Sequence, residues 1–215
     1  MTGRTWKRLI GVTAAATAVT AALMTPAATA SPAAAPAAAP AVATTTAAAA
    51  ADVDYDTWQK DCRAVMDEAL PYLKQRIADA AAGEKQAIVF DIDNTTLETD
   101  FGFSYPSPAN APVLEVAEYA QDHGVALFFV TARPDIIASA TDYNLKHAGY
   151  KVSGLYVRNF GDLFRDKAEY KTAKRVEIEA KGYTIIANIG NTPTDLSGGH
   201  AEKTYKLPDY DGQLS

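Results

Sequence analysis

The 215 residues carry 20 basic and 26 acidic side chains, a net charge of −6, with 48% hydrophobic residues and a single cysteine. The acidic balance sets nucleic acid aside as a partner, because such a surface repels a phosphate backbone unless a local basic patch overrides it. The lone Cys62 excludes an intramolecular disulfide, so stability has to come from an ordinary apolar core, for which the chain is long enough.

Arg4, Lys7 and Arg8 precede the apolar run Leu9 to Met24, and Ala28-Thr29-Ala30 sets small residues at the −3 and −1 positions of a cleavage site, so residues 1–30 read as a secretory signal peptide. A retained N-terminal anchor is the rival reading. It is weakened by a run rich in Ala and Thr, where a membrane span needs about 20 strongly apolar residues. Residues 31–51 contain only Ala, Pro, Thr, Ser and Val, the composition of an extended, unfolded linker. Residues 52–215 are then the folded domain, which loses Arg4, Lys7 and Arg8 and holds 17 basic against 26 acidic residues, a net of −9. The expectation is an extracellular domain with no stable membrane insertion once the signal is cut.

Within the domain, Trp58, Cys62, Val65, Ala69, Leu73 and Ile77 recur at three- and four-residue steps, predicting an amphipathic helix over Tyr55 to Ala82 that Pro71 splits or kinks and Gly83 ends. Cys62 lies on its apolar stripe and reads as a small buried hydrophobe. Ala87 to Phe90 is a short apolar run of the kind that makes a strand buried on both faces. The alternation continues with a helix over Ala111 to His123, a strand over Val125 to Val130, a helix over Pro134 to His147 and a strand over Gly154 to Val157. A helix over Lys167 to Lys181, a strand over Thr184 to Ile189 and an edge strand over Lys203 to Leu207 complete the series. Strands alternating with helices imply an α/β fold around a parallel sheet.

In such sheets, sites gather at the carboxyl ends of the strands. The residues there are Asp91-Ile92-Asp93-Asn94-Thr95, then Thr131-Ala132-Arg133, then Arg158-Asn159, then Gly190-Asn191-Thr192-Pro193-Thr194-Asp195. Two carboxylates at the end of the most apolar strand are costly unless a cation sits between them or they do proton work. One can attack phosphorus while the other protonates a leaving oxygen and later activates water. Taken alone, Thr131 could instead cap a helix beginning at Pro134, and Lys171 could be a solvated lysine on a charged helix face.

Asp91-Ile92-Asp93-Asn94-Thr95 resembles the D-x-D-x-T motif that opens the haloacid dehalogenase (HAD) superfamily. Thr131 matches the second motif, Lys171 the third, and Gly190-Asn191-x-x-x-Asp195 resembles the fourth. Over Tyr55 to Leu207, closing on Lys203-Thr204-Tyr205-Lys206-Leu207-Pro208, the chain is similar to the secreted class B-like acid phosphatases and plant vegetative storage proteins of that superfamily.

The resemblance implies a HAD-like Rossmannoid three-layer sandwich with a central parallel sheet and a minimal cap. It implies Asp91 as the nucleophile and Asp93 as general acid and base, with Thr131, Ala132 and Lys171 holding the phosphoryl group. Mg2+ would be held by Asp91, the Asp93 carbonyl, Asn191 and Asp195. One position departs from the family pattern: Asn191 stands where the fourth motif commonly opens with Asp, and its amide oxygen brings no charge to a metal.

An acid two residues past the nucleophile favours a phosphate ester over a carbon–halogen bond, since halide needs no proton. Thr131 follows Asp91 by 40 positions, part of which is helix, so no large cap fits between them and the site should be open. The aromatics Phe101, Phe103 and Tyr105 could stack on a nucleoside or aryl group, or pack their loop onto the domain. Arg133 and Arg158 are further candidate phosphate contacts, with surface salt bridges as the alternative. The expected function is that of a secreted, Mg2+-dependent acid phosphatase acting on a small phosphomonoester, nucleotides among the candidates. A non-catalytic storage or binding protein and a phosphotransferase to an alcohol acceptor are the alternatives, and oligomeric state is not legible.

Overall fold

A computed structural model describes residues 53–102 and 104–214. The expected signal peptide and linker lie outside the described residues, as does Phe103.

The chain runs α1 (Tyr55–Ala78), β1 (Lys85–Phe90), α2 (Ala111–Asp122), β2 (Ala126–Pro134), a 3-10 turn (Asp135–Ile137), α3 (Ala138–His147) and β3 (Val152–Arg158). A second 3-10 turn (Asp162–Phe164) leads into α4 (Lys167–Ala180), β4 (Tyr183–Gly190), the single turn α5 (Pro193–Leu196) and β5 (Thr204–Lys206). The five strands form one parallel sheet in the order β3-β2-β1-β4-β5. The chain leaves β1 toward β2 and β3 and returns on the other side at β4, so the direction of winding reverses between β1 and β4. A doubly wound sheet opens its binding crevice at that point.

Side chains alternate across the sheet. Ile88, Phe90, Leu127, Phe129, Ile186 and Ile189 face one core with Trp58, Cys62, Met66 and Leu73 of α1, Val113, Val116 and Ala117 of α2, and Leu145 of α3. Ala87, Val89, Phe128, Val130 and Ile185 face the other, covered by Tyr170 and Ile178 of α4. This is the expected three-layer α/β sandwich. Cys62 is fully buried, and burial pushes its thiol up to about 12, so it behaves as a small hydrophobe.

Two boundaries differ from expectation. Pro71 does not split α1, which is continuous and capped by Asp54, whose side chain accepts the Thr57 N–H. An interior proline costs a helix about 3 kcal/mol. Each large side chain that α1 buries contributes about 1.5–3 kcal/mol, so Trp58, Met66 and Leu73 together outweigh that cost. The helix also ends at Ala78, four residues before Ala82, because a turn closes between Ala81 and Glu84 around left-handed Gly83.

The second difference is that β2 runs on through Thr131-Ala132-Arg133-Pro134, and α3 starts only at Ala138. A residue preceding proline is disfavoured from helical backbone, which holds Arg133 extended. Thr131 therefore caps no helix.

Arg76, in the last turn of α1, pins that helix to the strand layer. Its guanidinium donates to Glu84, just before β1, and to Glu202, just before β5, at 2.8 Å from Nε and 2.9 Å from Nη2 to the latter. The Arg76 bond is the main cause of a Glu84 pKa held down to about 2 from its ordinary 4.5, and Glu202 is lowered too. A carboxylate with a depressed folded-state pKa contributes stability that is complete above the unfolded value and is lost as pH falls. In an Arg76→Met variant, the deficit in melting temperature should be full above pH 4.5 and shrink as pH falls from 4.5 toward 2. A deficit that stays constant across thermal scans from pH 7 to 2 would mean that only packing was lost.

Candidate active site

Asp91 is the first residue past β1, and its N–H donates to the Ile189 carbonyl of β4 at 2.9 Å, which carries the β1–β4 junction one residue beyond the strand. Asp195 comes from α5, just past β4. The two carboxylates meet on the ammonium of Lys171, whose Nζ lies 2.5 Å from Asp91 Oδ1 and 2.5 Å from Asp195 Oδ1. Lys171 reaches them from the second turn of α4, whose start is set by Asp166 accepting the Ala168 and Glu169 N–H groups. All three charges are buried. Burial pushes Asp91 up to about 6 against the pull of Lys171, with Asp195 adding repulsion. Burial opposes the ammonium, yet the two carboxylates together hold the pKa of Lys171 above the ordinary lysine value.

Several features exist to place Asp195. A Cβ at Gly190 would sit 2.4 Å from the Asp195 Cβ, so only glycine lets that side chain lie against the strand end. Asp195 Oδ2 accepts the Thr192 N–H at 2.8 Å, as the capping box of α5. Its carbonyl accepts from Asn188 Nδ2 at 2.9 Å and from Arg175 Nη1 at 2.7 Å. Arg175 is fully buried and also donates to the Ser197 and Gly199 carbonyls. Asn188 and Arg175 were not legible as site residues. The only hint was their polarity on a strand and a helix face that otherwise pack inward.

Asp93 stands at the mouth of the site, with its side chain 43% exposed. Arg133 grips it with two nitrogens, Nη2 to Oδ1 at 2.7 Å and Nε to Oδ2 at 3.1 Å, and reaches Thr141 on α3 with Nη1. Of the two readings of Arg133, phosphate contact or salt bridge, its pairing with this carboxylate is the salt bridge.

Asp91, Asp93, Ala132, Lys171, Asn191 and Asp195 line one cavity of about 400 Å³. Thr131 is buried next to Ala132 with its hydroxyl accepting the Arg133 N–H at 3.2 Å, and it does not itself line the cavity. Lys167 also lines it, one helical turn before Lys171. The i, i+4 spacing of the two lysines was the available signal for this second cation. Arg158 takes no part. It is buried and ties the β3–α4 connection by donating to the Asp162 and Arg165 carbonyls.

A second cavity of about 460 Å³ shares Asp93, Thr99 and Arg133 with the first and is walled by Tyr105, Ile137 and Ala140, with the hydroxyls of Ser104, Ser107 and Thr141. Arg133 is its only cation among the described residues, and Asp93 neutralises it. Phe101 faces elsewhere, stacked on Trp58 at 4.5 Å and edge-on to Tyr55 at 5.3 Å. The loop aromatics thus divide, Phe101 fastening the loop to α1 and Tyr105 facing the cavity.

Among the described residues, no three His, Cys, Asp or Glu side chains converge as a metal cluster. The donors at the cavity are the carboxylates of Asp91 and Asp195, the Asn191 amide and nearby main-chain carbonyls. An all-oxygen set with few charges and room for water suits a hard cation such as Mg2+, so the residues present fit that ion.

Replacing Lys171 by Met should abolish the pairing and leave two buried carboxylates facing each other. A loss of about 3–5 kcal/mol is expected in urea unfolding, the scale for stranding one side of a buried ion pair. Adding Asp195→Asn to that variant should recover part of the loss.

The family model described as HAD superfamily, subfamily IIIB (acid phosphatase) matches residues 7–107 and 104–213. The Stem 28 kDa glycoprotein of Glycine max is 28% identical over 177 residues, covering 71% of this chain and 68% of its own length. Acid phosphatase 1 of Solanum lycopersicum is 26% identical over 166 residues, covering 67% of this chain and 64% of its own. In fold, the class C acid phosphatase from Bacillus anthracis superposes with a TM-score of 0.59 at 17% identity, over 73% of this chain and 80% of that one. The same enzyme with tungstate bound gives a TM-score of 0.57 at 16% identity. The chain belongs to the HAD superfamily, subfamily IIIB, the acid phosphatases.

Proposed function

We propose that this protein is a secreted, Mg2+-dependent phosphomonoesterase that works through an aspartyl-phosphate on Asp91. The observation that carries the reading is the buried Lys171 ammonium shared by Asp91 and Asp195 in the cavity that Asp93 borders. A carboxylate so placed presents its unshared oxygen to phosphorus while the lysine offsets charge on the transferring group. The signal-peptide pattern read in residues 1–30 supports secretion.

In the first step the Asp91 carboxylate attacks phosphorus, the ester P–O bond breaks, and Asp93, having taken up a proton from solvent at its exposed side, gives that proton to the leaving oxygen. In the second, Asp93 takes a proton from water, whose oxygen attacks phosphorus, releasing phosphate and restoring the Asp91 carboxylate. Arg133 keeps Asp93 aimed across the shared wall of the two cavities. The Ala132 N–H and Lys171 would hold phosphoryl oxygens, with Lys167 as a further cation lining the cavity. Mg2+, when bound by Asp91, Asp195, Asn191 and the Asp93 carbonyl, would supply charge neutralisation for the phosphoryl group. The Tyr105 cavity suits the uncharged part of the ester, an aryl or hydroxylated group rather than a second phosphate. An alcohol admitted there in place of water would make the reaction a phosphotransfer.

The test is phosphate release from p-nitrophenyl phosphate with and without MgCl2, beside Asp91→Asn and Asp93→Asn. Wild type should turn over with the metal, and Asp91→Asn should not. Because p-nitrophenolate leaves without a proton but hydrolysis of the intermediate needs a base, Asp93→Asn should release about one equivalent of p-nitrophenolate and then slow by roughly 10²–10⁴-fold. A wild type inert toward this ester and a panel of nucleotides would instead favour a non-catalytic binding protein on the same fold.

A further inference from the structure

Past β5, residues 208–214 fold back onto the domain as a built segment. Tyr210 and Asp211 take left-handed backbone, and the turn closes through the Leu214 N–H on the Asp209 carbonyl at 3.2 Å. The Tyr210 hydroxyl donates to Asp61 of α1 at 2.8 Å, and the Leu214 side chain is buried in the larger core. What this anchoring delivers is one main-chain carbonyl. Leu214 O accepts Asn191 Nδ2 at 2.5 Å and Asn94 Nδ2 at 3.2 Å, both asparagines being buried and both bordering the Asp91 cavity.

A carbonyl oxygen only accepts, so the amide nitrogen of each asparagine has to face it, which turns each amide oxygen away. Asn94 Oδ1 then accepts the Thr99 and Asp100 N–H groups at 3.1 Å, and Asn191 Oδ1 accepts the Thr95 hydroxyl at 3.3 Å. The Asn191 oxygen keeps a second lone pair for a cation. An aspartate at 191 would set carboxylate against carbonyl, acceptor against acceptor. The amide at this position, a departure from the family pattern, is thus what this segment requires.

We propose that residues 208–214 are a positioning element of the catalytic site, in which the Leu214 carbonyl orients Asn191 and joins the loops after β1 and β4, thereby setting affinity for the divalent cation. The role in cation binding rests on the Mg2+ reading above. Neither Leu214 nor its neighbours touch the reacting groups, so they act through Asn191 and Asn94.

The test is thermal unfolding of the full chain across an MgCl2 titration, for wild type, Leu214→Ala and, as a control at another buried leucine, Leu73→Ala of α1. Both variants should melt lower without metal. Only Leu214→Ala should raise the MgCl2 concentration for half-maximal stabilisation, by about tenfold, the lower end of what loss of an outer partner costs a metal site. Hydrogen exchange in EDTA, which needs no metal, should show the Gln213 and Leu214 amides losing protection in Asn191→Asp.

Equal half-saturation for Leu214→Ala and Leu73→Ala would overturn the positioning role while leaving the metal in place. Unchanged exchange in Asn191→Asp would overturn the contact on which it depends. A wild-type transition that ignores MgCl2 would overturn the Mg2+ assignment itself and this role with it.

Discussion

The site is organised around one buried ammonium. Asp91 and Asp195 can lie together out of water only because Lys171 stands between them, and Lys171 can be buried only because both are there. Each member comes from a different element, so the triad forms only when α4 is capped at Asp166, β4 lies beside β1, and Gly190 lets Asp195 fold against the strand end. Arg175 extends the same logic outward, its buried guanidinium filled by the main-chain carbonyls of Asp195 in α5 and of Ser197 and Gly199 just after it. The buried triad is thus held by a second layer of charge and hydrogen bonds around it.

The loop after β1 answers to two demands. It has to present Asp91 and Asp93 to a ligand, and it has to be rigid without the help of a helix until Asn110. Rigidity comes from inside and outside the loop. Asn94 gathers the Thr99 and Asp100 N–H groups, Thr96 Oγ1 donates to the Asp91 carbonyl at 3.1 Å, and Phe101 stacks on Trp58. Glu98 accepts Tyr55 and Gln59 of α1 at 3.0 and 2.9 Å. With Phe101 used for anchoring, Tyr105 is left to face the cavity.

Fold order and the residues that meet at the cavity were legible because both rest on local pattern. Short apolar runs, helical periodicity and polar residues at strand ends are written in consecutive positions. The misreadings share a cause. Pro71 looked like a break because its local cost is visible, whereas the burial of Trp58, Met66 and Leu73 that outweighs it is not. Thr131 looked like a possible cap because the extension of β2 depends on pairing that reaches Pro134 opposite Arg158. Arg133 and Arg158 had equal standing as strand-end arginines, but one meets Asp93 and the other meets the carbonyls of its own connection.

By itself, the sequence determined the α/β order of elements, the identity of the two carboxylates, the lysine and the fourth-motif pair, and through them the family, because a strand period and a motif spacing are properties of neighbouring residues. Only the tertiary structure decided which partner each charge would have. Lys171 with Asp91 and with Asp195, Asp93 with Arg133, and Asn191 with the Leu214 carbonyl are encounters between residues 23 to 80 positions apart. They exist because a hydrogen bond or ion pair in a buried site is set by the few ångströms at which packed elements meet, and no spacing along the chain encodes that distance.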